Sequence, residues 1–158
     1  MKTNIIDNTI LFSAALLLTA LLFTSCNKSQ VISPAKNIAG EYSGNTIVSF
    51  KYSTTPYSYT DDKLLITDNA DGTVNADFTN SIWGQFSVKE MEVKSDGDKY
   101  FFDGSGQVSM GMSEESKKSY DFTLNCTYDR VAKKVSAEFN IPVVMGGVSI
   151  SFTSNAAQ

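Results

Sequence analysis

The chain has 158 residues, 42% of them hydrophobic and 19% charged, a balance typical of globular proteins and too apolar for a disordered one. Its net charge of -4 disfavours nucleic acid as a partner, because phosphate backbones are bound by basic surfaces. Histidine is absent, which excludes Ser-His-Asp and Cys-His catalysis and His-ligated zinc, and two cysteines cannot form a four-cysteine zinc site. We therefore expect a protein that is not an enzyme and that uses no cofactor.

The N-terminus has the features of an export signal. A basic start at Lys2 precedes an apolar run over residues 10–23, which is shorter than a comfortable membrane span of about 20 residues. The run ends in Phe23-Thr24-Ser25-Cys26, which resembles the lipobox of bacterial lipoproteins. The resemblance implies a signal peptide over residues 1–25 and acyl chains on Cys26 that anchor the protein in the outer membrane. A plain secreted protein and an uncleaved anchor are the alternatives.

Residues 26–39 are expected to form the lipidated cysteine and a polar tether that holds the domain off the membrane. In some related lipoproteins, acidic residues directly after the cysteine mark export to the cell surface. This chain has Asn27-Lys28-Ser29-Gln30 there, which favours the periplasmic face of the membrane. With Cys26 lipidated, Cys126 has no disulfide partner within the chain, and its place in an alternating apolar row predicts a buried side chain.

The rest of the chain alternates apolar and polar residues, the pattern of half-buried β-strands. Between Val88 and Met91 the alternation changes phase, which predicts a β-bulge. The pattern predicts eight strands, at 41–53, 62–68, 73–80, 85–94, 98–109, 118–128, 133–141 and 147–154. Because the connections are short, neighbouring strands should pair antiparallel, and an all-β, eight-stranded up-and-down barrel over residues 40–154 would leave no exposed edge. A two-sheet β-sandwich is the alternative, and residues 155–158 form a short tail.

Three segments carry a resemblance to a family. They are Ile38-Ala39-Gly40-Glu41-Tyr42-Ser43-Gly44, then Ile66-Thr67-Asp68-Asn69-Ala70-Asp71-Gly72-Thr73-Val74, and the ending Phe139-Asn140-Ile141-Pro142 through Met145-Gly146-Gly147-Val148-Ser149-Ile150-Ser151-Phe152. In strand rhythm and turn motifs they are similar to the calycin-like, lipocalin-like barrel domains of Gram-negative lipoproteins. The resemblance covers about residues 38–154. It implies a fold, and it supplies no catalytic residues.

The connections between the predicted strands fall into two sets. Those at 69–72, 95–97 and 129–132 are tight polar turns and share one end of the barrel. Those at 54–61, 81–84, 110–117 and 142–146 share the other end and carry apolar, adaptable side chains. Because barrel mouths recur as binding sites, we predict a ligand site formed by Tyr57, Tyr59, Trp83, Met110, Met112 and Met145.

Two functions follow from this hypothesis. The first is an envelope protein that binds an apolar small molecule at the barrel mouth. The alternative is a structural or interaction module that presents its loops to another envelope protein or a glycan system. Bulky side chains that fill the interior would leave no deep pocket and would favour the alternative. The acidic turns Asp68-Asn69-Ala70-Asp71-Gly72 and Asp96-Gly97-Asp98 lack the ligand spacing of an EF-hand, so we expect Asx turns and no metal site.

Overall fold

The computed structural model describes residues 33–111 and 113–155. Cys26, Met112 and the predicted signal peptide lie outside the described residues. No helix within the described ranges is long and apolar enough to span a bilayer.

The described residues form nine antiparallel strands in a single sheet, in the order β4-β3-β2-β1-β9-β8-β7-β6-β5. This confirms the predicted all-β, up-and-down barrel, and a sandwich of two sheets is wrong because every strand belongs to the same sheet. The strands are β1 (Gly40–Phe50), β2 (Tyr57–Asp68), β3 (Thr73–Asn80), β4 (Gly84–Glu92), β5 (Lys94–Asp96), β6 (Lys99–Met110), β7 (Lys118–Asp129), β8 (Lys134–Ile141) and β9 (Val148–Ser154).

The count is nine rather than eight because the predicted strand 85–94 is interrupted at Val93. The chain continues as β5, which pairs with the start of β6 through Lys94↔Phe101. Past the short β5, β6 lies beside β4, but in the described residues no hydrogen-bonded ladder joins these two strands. A β-carbon added to Gly104 would lie 2.5 Å from Val88 Cγ1, and one added to Gly106 would lie 2.6 Å from the carbonyl oxygen of Ser87. The two glycines of β6 therefore let β4 come close enough to close the barrel by packing.

Two β-bulges set the phase of the side chains. In β4 the register shifts between Val74↔Met91 and Ala76↔Val88, with Glu90 at φ 57°, which confirms the predicted bulge. The amide of Glu90 donates to Asn75 Oδ1 at 2.9 Å. A second bulge, in β2, has Asp61 at φ 63°. It was not predicted, and it turns the first residues of β2 onto the opposite face.

The barrel interior is filled by inward-facing side chains. Phe139 lies at the centre, with ring centroids 4.9 Å from Phe78, 5.1 Å from Phe86 and 6.0 Å from Phe122. The alternate residues of the same strands are exposed, as at Glu138 beside Phe139. Burial of this apolar surface is the main force that holds the barrel together. The core is thus packed solid, and its inward-facing residues, as far as the structure describes them, line no deep pocket along the barrel axis.

A short helix, α1 (Pro34–Ile38), lies against one end of the barrel. Pro34 occupies the first helical turn, where its missing N–H costs nothing, and Ala35 and Ile38 are fully buried against the core. Tyr42 fastens the helix to β1 by donating its hydroxyl to the carbonyl of Ile38 at 2.7 Å. The sequence predicted that residues 26–39 would include a polar tether, whereas residues 33–39 contain this helix. The spacing of Ala35 and Ile38 gives even one helical turn a buried face.

Candidate functional site

The two ends of the barrel differ in chemistry. At one end, called the base, lie α1 and the connections 69–72, 97–98 and 130–133, which are short and mostly polar. At the other, called the mouth, lie the connections 51–56, 81–83, 142–147 and the described residues 111 and 113–117. Because successive strands run antiparallel, the connections alternate between the ends as the sequence predicted. The apolar connections lie at the mouth.

A cavity of about 440 Å³ opens at the mouth. This volume is within the range of about 300–1,000 Å³ that small-molecule sites occupy. Apolar and aromatic side chains dominate the lining, with two serine hydroxyls and a lysine among them. The lining consists of Ser81, Ile82, Trp83, Gly84, Ser109, Met110, Gly111, Lys117, Tyr120, Val144 and Met145. The structure therefore brings together three of the predicted residues: Trp83, Met110 and Met145.

Trp83 is held in place by two sets of hydrogen bonds. The side-chain carbonyl of Asn80 accepts the amides of Ile82 and Trp83, each at 2.9 Å, and so fixes the 81–83 turn. Asn80 in turn donates to the buried carboxylate of Asp62 at 2.7 Å. The indole N–H of Trp83 donates to the hydroxyl of Tyr59 at 3.2 Å. The indole is half-buried, with one side on the core and one on the cavity.

Tyr57 and Tyr59 lie in β2, whereas the sequence predicted them in a connection over 54–61. The bulge at Asp61 allows β2 to continue past the polar run Thr60-Asp61-Asp62 with Tyr59 turned inward. Neither tyrosine lines the cavity. Tyr59 supports Trp83 from behind, and Tyr57 reaches it through Phe50, whose ring centroid lies 5.4 Å from that of Tyr57 and 5.6 Å from that of Trp83.

Met145 and Met110 approach the cavity from different sides. Met145 is 61% exposed in a short 3-10 turn, Val144–Gly146, where its φ of 50° is unusual for a residue other than glycine. Met110 is the last residue of β6 and is half-buried. The predicted site residue Met112 lies outside the described residues.

Several lining residues were not predicted. Tyr120 belongs to the inward-facing row of β7, and its place at the mouth end of that row puts it in the cavity lining and not in the core. Ile82 and Val144 are sequence neighbours of the predicted Trp83 and Met145. Their apolar character within short connections was the signal that would have found them.

The acidic turn at 68–72 forms Asx turns, as predicted, whereas the described hydrogen bonds include no side-chain turn bond of Asp96 or Asp98. Asp68 accepts the amide of Ala70 at 3.0 Å, and Asp71 accepts the amide of Thr73 at 2.9 Å. Hydrogen bonds from the side chain and the backbone of Thr73 hold the pKa of the Asp71 carboxyl below its ordinary value. In the described part of the chain, no three or more Asp, Glu, His or Cys side chains cluster closely enough to hold a metal ion.

Cys126 is buried, which confirms the predicted packing role. Cys126 lies within the core and is 3% exposed, and this burial raises the pKa of its thiol. A thiol that stays protonated is a poor nucleophile.

The fold and its packed core define the class of this protein as a small antiparallel β-barrel. The chain belongs to the calycin-like β-barrel domain family, whose sequence model matches residues 38–155. It is also similar to a crystal structure from Bacteroides fragilis, described as that of a "putative outer membrane protein", at 32% identity and a TM-score of 0.62. The similarity covers 77% of this chain but only 46% of that protein. No curated protein matches the chain.

Proposed function

We propose that the protein is a lipid-anchored envelope protein that binds an apolar small molecule in the mouth cavity and is not an enzyme. The carrying observation is the cavity itself, about 440 Å³ in volume and lined by Trp83, Met110 and Met145 above a filled core. Methionine side chains adapt to different shapes, and an indole offers a flat apolar surface. The ligand rests across the top of the barrel, since the interior below is filled.

Binding can be tested with the apolar dye N-phenyl-1-naphthylamine. Trp83 is the only tryptophan of the chain, so energy transfer from it reports dye within the mouth. Met145→Ser should weaken dye binding several-fold. Val131→Ser is the matched control, because it removes an exposed apolar side chain at the base. Equal effects of the two substitutions, or dye binding without quenching of Trp83, would refute the mouth site. Native mass spectrometry of protein purified from its own host would then look for the natural ligand.

The anchor is proposed from the lipobox-like segment that ends at Cys26. Cys26→Ser should remove the acyl mass and shift the protein out of the membrane fraction. Unchanged membrane association without loss of acyl mass would contradict lipidation. For location we propose the periplasmic face of the outer membrane. The description of the Bacteroides fragilis relative and the absence of acidic residues in Asn27-Lys28-Ser29-Gln30 support this proposal.

A second candidate function, an interaction module, is supported by the filled interior of the barrel, which leaves no room for a deep ligand pocket among the described core residues. It is also supported by the rim of the mouth. Large apolar side chains are exposed there, and contiguous apolar surface on a monomer often marks an interaction site. They are Tyr52 at 79%, Val143 at 74%, Ile82 at 69%, Met145 at 61% and Tyr57 at 53% exposure. Such a rim would suit another envelope protein. A photo-crosslinking amino acid at position 82 should then form an adduct with one defined protein in the host envelope, whereas the same amino acid at position 131 should not.

A further inference from the structure

A second cavity, of about 290 Å³, lies at the base of the barrel, away from the mouth. It is lined by Asn37 of α1, Tyr100 of β6, Tyr128 of β7 and Arg130 in the turn that follows β7. Burial of Ala35 and Ile38 fixes α1 under the barrel and thereby brings Asn37 to the two tyrosines. The rings of Tyr100 and Tyr128 stack with centroids 6.2 Å apart. The cavity is thus formed by three separate parts of the chain on a rigid support.

Arg130 is oriented by its surroundings. Its guanidinium lies 5.2 Å from the centre of the Tyr100 ring, and one of its nitrogens donates to the carbonyl of Gly97 at 3.3 Å. Its backbone amide donates to the carbonyl of Asp98 at 2.9 Å. No carboxylate of the described residues lies within ion-pair distance of Arg130. A guanidinium has five N–H donors, so most of those on Arg130 have no acceptor among the residues that the structure describes.

The nearest acidic side chain in the sequence, Asp129, is occupied within its own turn. It accepts the amides of Val131 at 2.9 Å and Ala132 at 2.8 Å. These bonds, with that of Ala132 contributing most, hold the pKa of the Asp129 carboxyl below its ordinary value. Asp129 therefore keeps its charge directed at the turn and does not line the cavity.

The other side chains that line the cavity can also donate hydrogen bonds to a ligand. Asn37 donates its amide to the hydroxyl of Tyr100 at 3.3 Å, which leaves the hydrogen of that hydroxyl available to a ligand. The hydroxyl of Tyr128 has no hydrogen-bond partner within the described residues. The lining thus combines one cation and two hydroxyls with no acidic group, a set that is complementary to an anion with several oxygens. Arginine binds such groups through two parallel hydrogen bonds.

We propose that the base cavity is a binding site for a phosphate group, with Arg130 as its principal ligand and Tyr100, Tyr128 and Asn37 completing it. The phosphate can come from a soluble phosphate ester or from the headgroup of a phospholipid. The base is the end at which the described chain begins, at Ser33, so the proposed tether connects there. This site is separate from the mouth and does not depend on ligand binding there.

Isothermal titration calorimetry of the full chain in a neutral detergent tests the site with inorganic phosphate. Wild-type protein should bind phosphate saturably, and Arg130→Gln should weaken binding by about tenfold or more, because hydrogen bonds to charged groups are the strong ones. Lys133→Gln is the matched control. It removes the same charge from the same turn but lies outside the cavity, and it should change the affinity less than about twofold, as expected for an exposed, screened charge.

A second variant covers the case in which Arg130→Gln fails to fold. Asn37→Asp keeps Arg130 but places a carboxylate on the exposed side of the cavity, and it should weaken phosphate binding by a similar factor. The source of the phosphate is distinguished by comparing glycerol 1-phosphate with dihexanoylphosphatidylglycerol. Tighter binding of the lipid assigns the site to a membrane headgroup, and equal or weaker binding assigns it to a soluble ester. Absence of saturable binding with all three probes, or an equal loss in Lys133→Gln, would overturn the proposal.

Discussion

The indole N–H of Trp83 donates a hydrogen bond to the hydroxyl of Tyr59 at 3.2 Å, at the mouth of the barrel. The bond joins a connection to a strand that is 24 residues earlier in the sequence. It presents one face of the indole to the cavity and keeps its polar edge away from it. The apolar surface that Trp83 turns toward the cavity is therefore set by Tyr59, which does not itself line the cavity.

Tyr59→Phe should loosen Trp83 and lower the affinity of the mouth for an apolar dye. The loss of one hydrogen bond to a half-buried donor costs about 1 kcal/mol, and the exposed N–H should shift the Trp83 fluorescence maximum to longer wavelength. Tyr57→Phe is the control, because in the described residues its hydroxyl has no hydrogen bond while its ring packs on Phe50. An emission maximum that is the same in both variants would argue against the positioning role of Tyr59.

Phe139→Ala should lower the free energy of unfolding by about 3–5 kcal/mol, since it leaves a cavity among Phe78, Phe86 and Phe122. Glu138→Ala, one residue earlier, changes a side chain on the outer face and should cost less than about 0.5 kcal/mol. Urea denaturation followed by circular dichroism measures both. Similar costs for the two positions would be incompatible with a core on one face of β8.

Gly106→Ala should destabilise the barrel by about 1–3 kcal/mol, the usual cost of overpacking. The added β-carbon meets the backbone of β4 at Ser87, which cannot turn away as a flexible side chain would. Gly40→Ala is the matched control. Its β-carbon would come no closer than 3.9 Å to Tyr42, an ordinary contact, so its thermal midpoint should stay near that of the wild type. An unchanged midpoint for Gly106→Ala would mean that β4 and β6 do not close the barrel as described.

Alkaline pH should release α1 through Tyr42. Burial, and then the neighbouring Tyr128, raise the pKa of the Tyr42 hydroxyl to about 12. In the unfolded chain the hydroxyl ionises near pH 10, so the stability that the protonated form contributes is complete below pH 10. It declines as the pH rises through about 12, because ionisation removes the proton that Tyr42 donates to Ile38.

Absorbance at 295 nm should therefore show one tyrosine that ionises later than the exposed ones, together with loss of stability between pH 10 and 12. Tyr42→Phe should abolish the late step. A wild-type titration without a late component would rule out this role of Tyr42.

The features of this fold that follow from a local residue pattern could be predicted from the sequence, and the others could not. Strand phases follow from local alternation, which is why the strands at 118–128 and 133–141 and the bulge between Val88 and Met91 could be predicted. The bulge at Asp61 could not, because it puts a residue other than glycine at positive φ within a polar run that has the composition of a loop. Its omission placed Tyr57 and Tyr59 in a connection.

The two cavities differ in how much of each could be predicted from the sequence. The mouth cavity was partly foreseen, since Trp83, Met110 and Met145 are apolar residues at the ends of strands. The base cavity was not, because it depends on α1, a helix of five residues that is too short to show a periodic pattern. Asn37 and Arg130 are 93 positions apart in the numbering and meet only once that helix has packed.

The junction between β4 and β6 is held together differently from the other junctions of the barrel wall. Every other pair of neighbouring strands in the described residues is joined by a ladder of hydrogen bonds, whereas this one relies on the fit of Gly104 and Gly106 against Val88 and Ser87. Packing contacts of that kind can separate over a short length without the loss of a whole ladder of hydrogen bonds. Gly84 at the start of β4 and Met110 at the end of β6 both border the mouth cavity, so this junction runs directly into it. We therefore expect the barrel wall to separate first along this junction, at the edge of the mouth cavity.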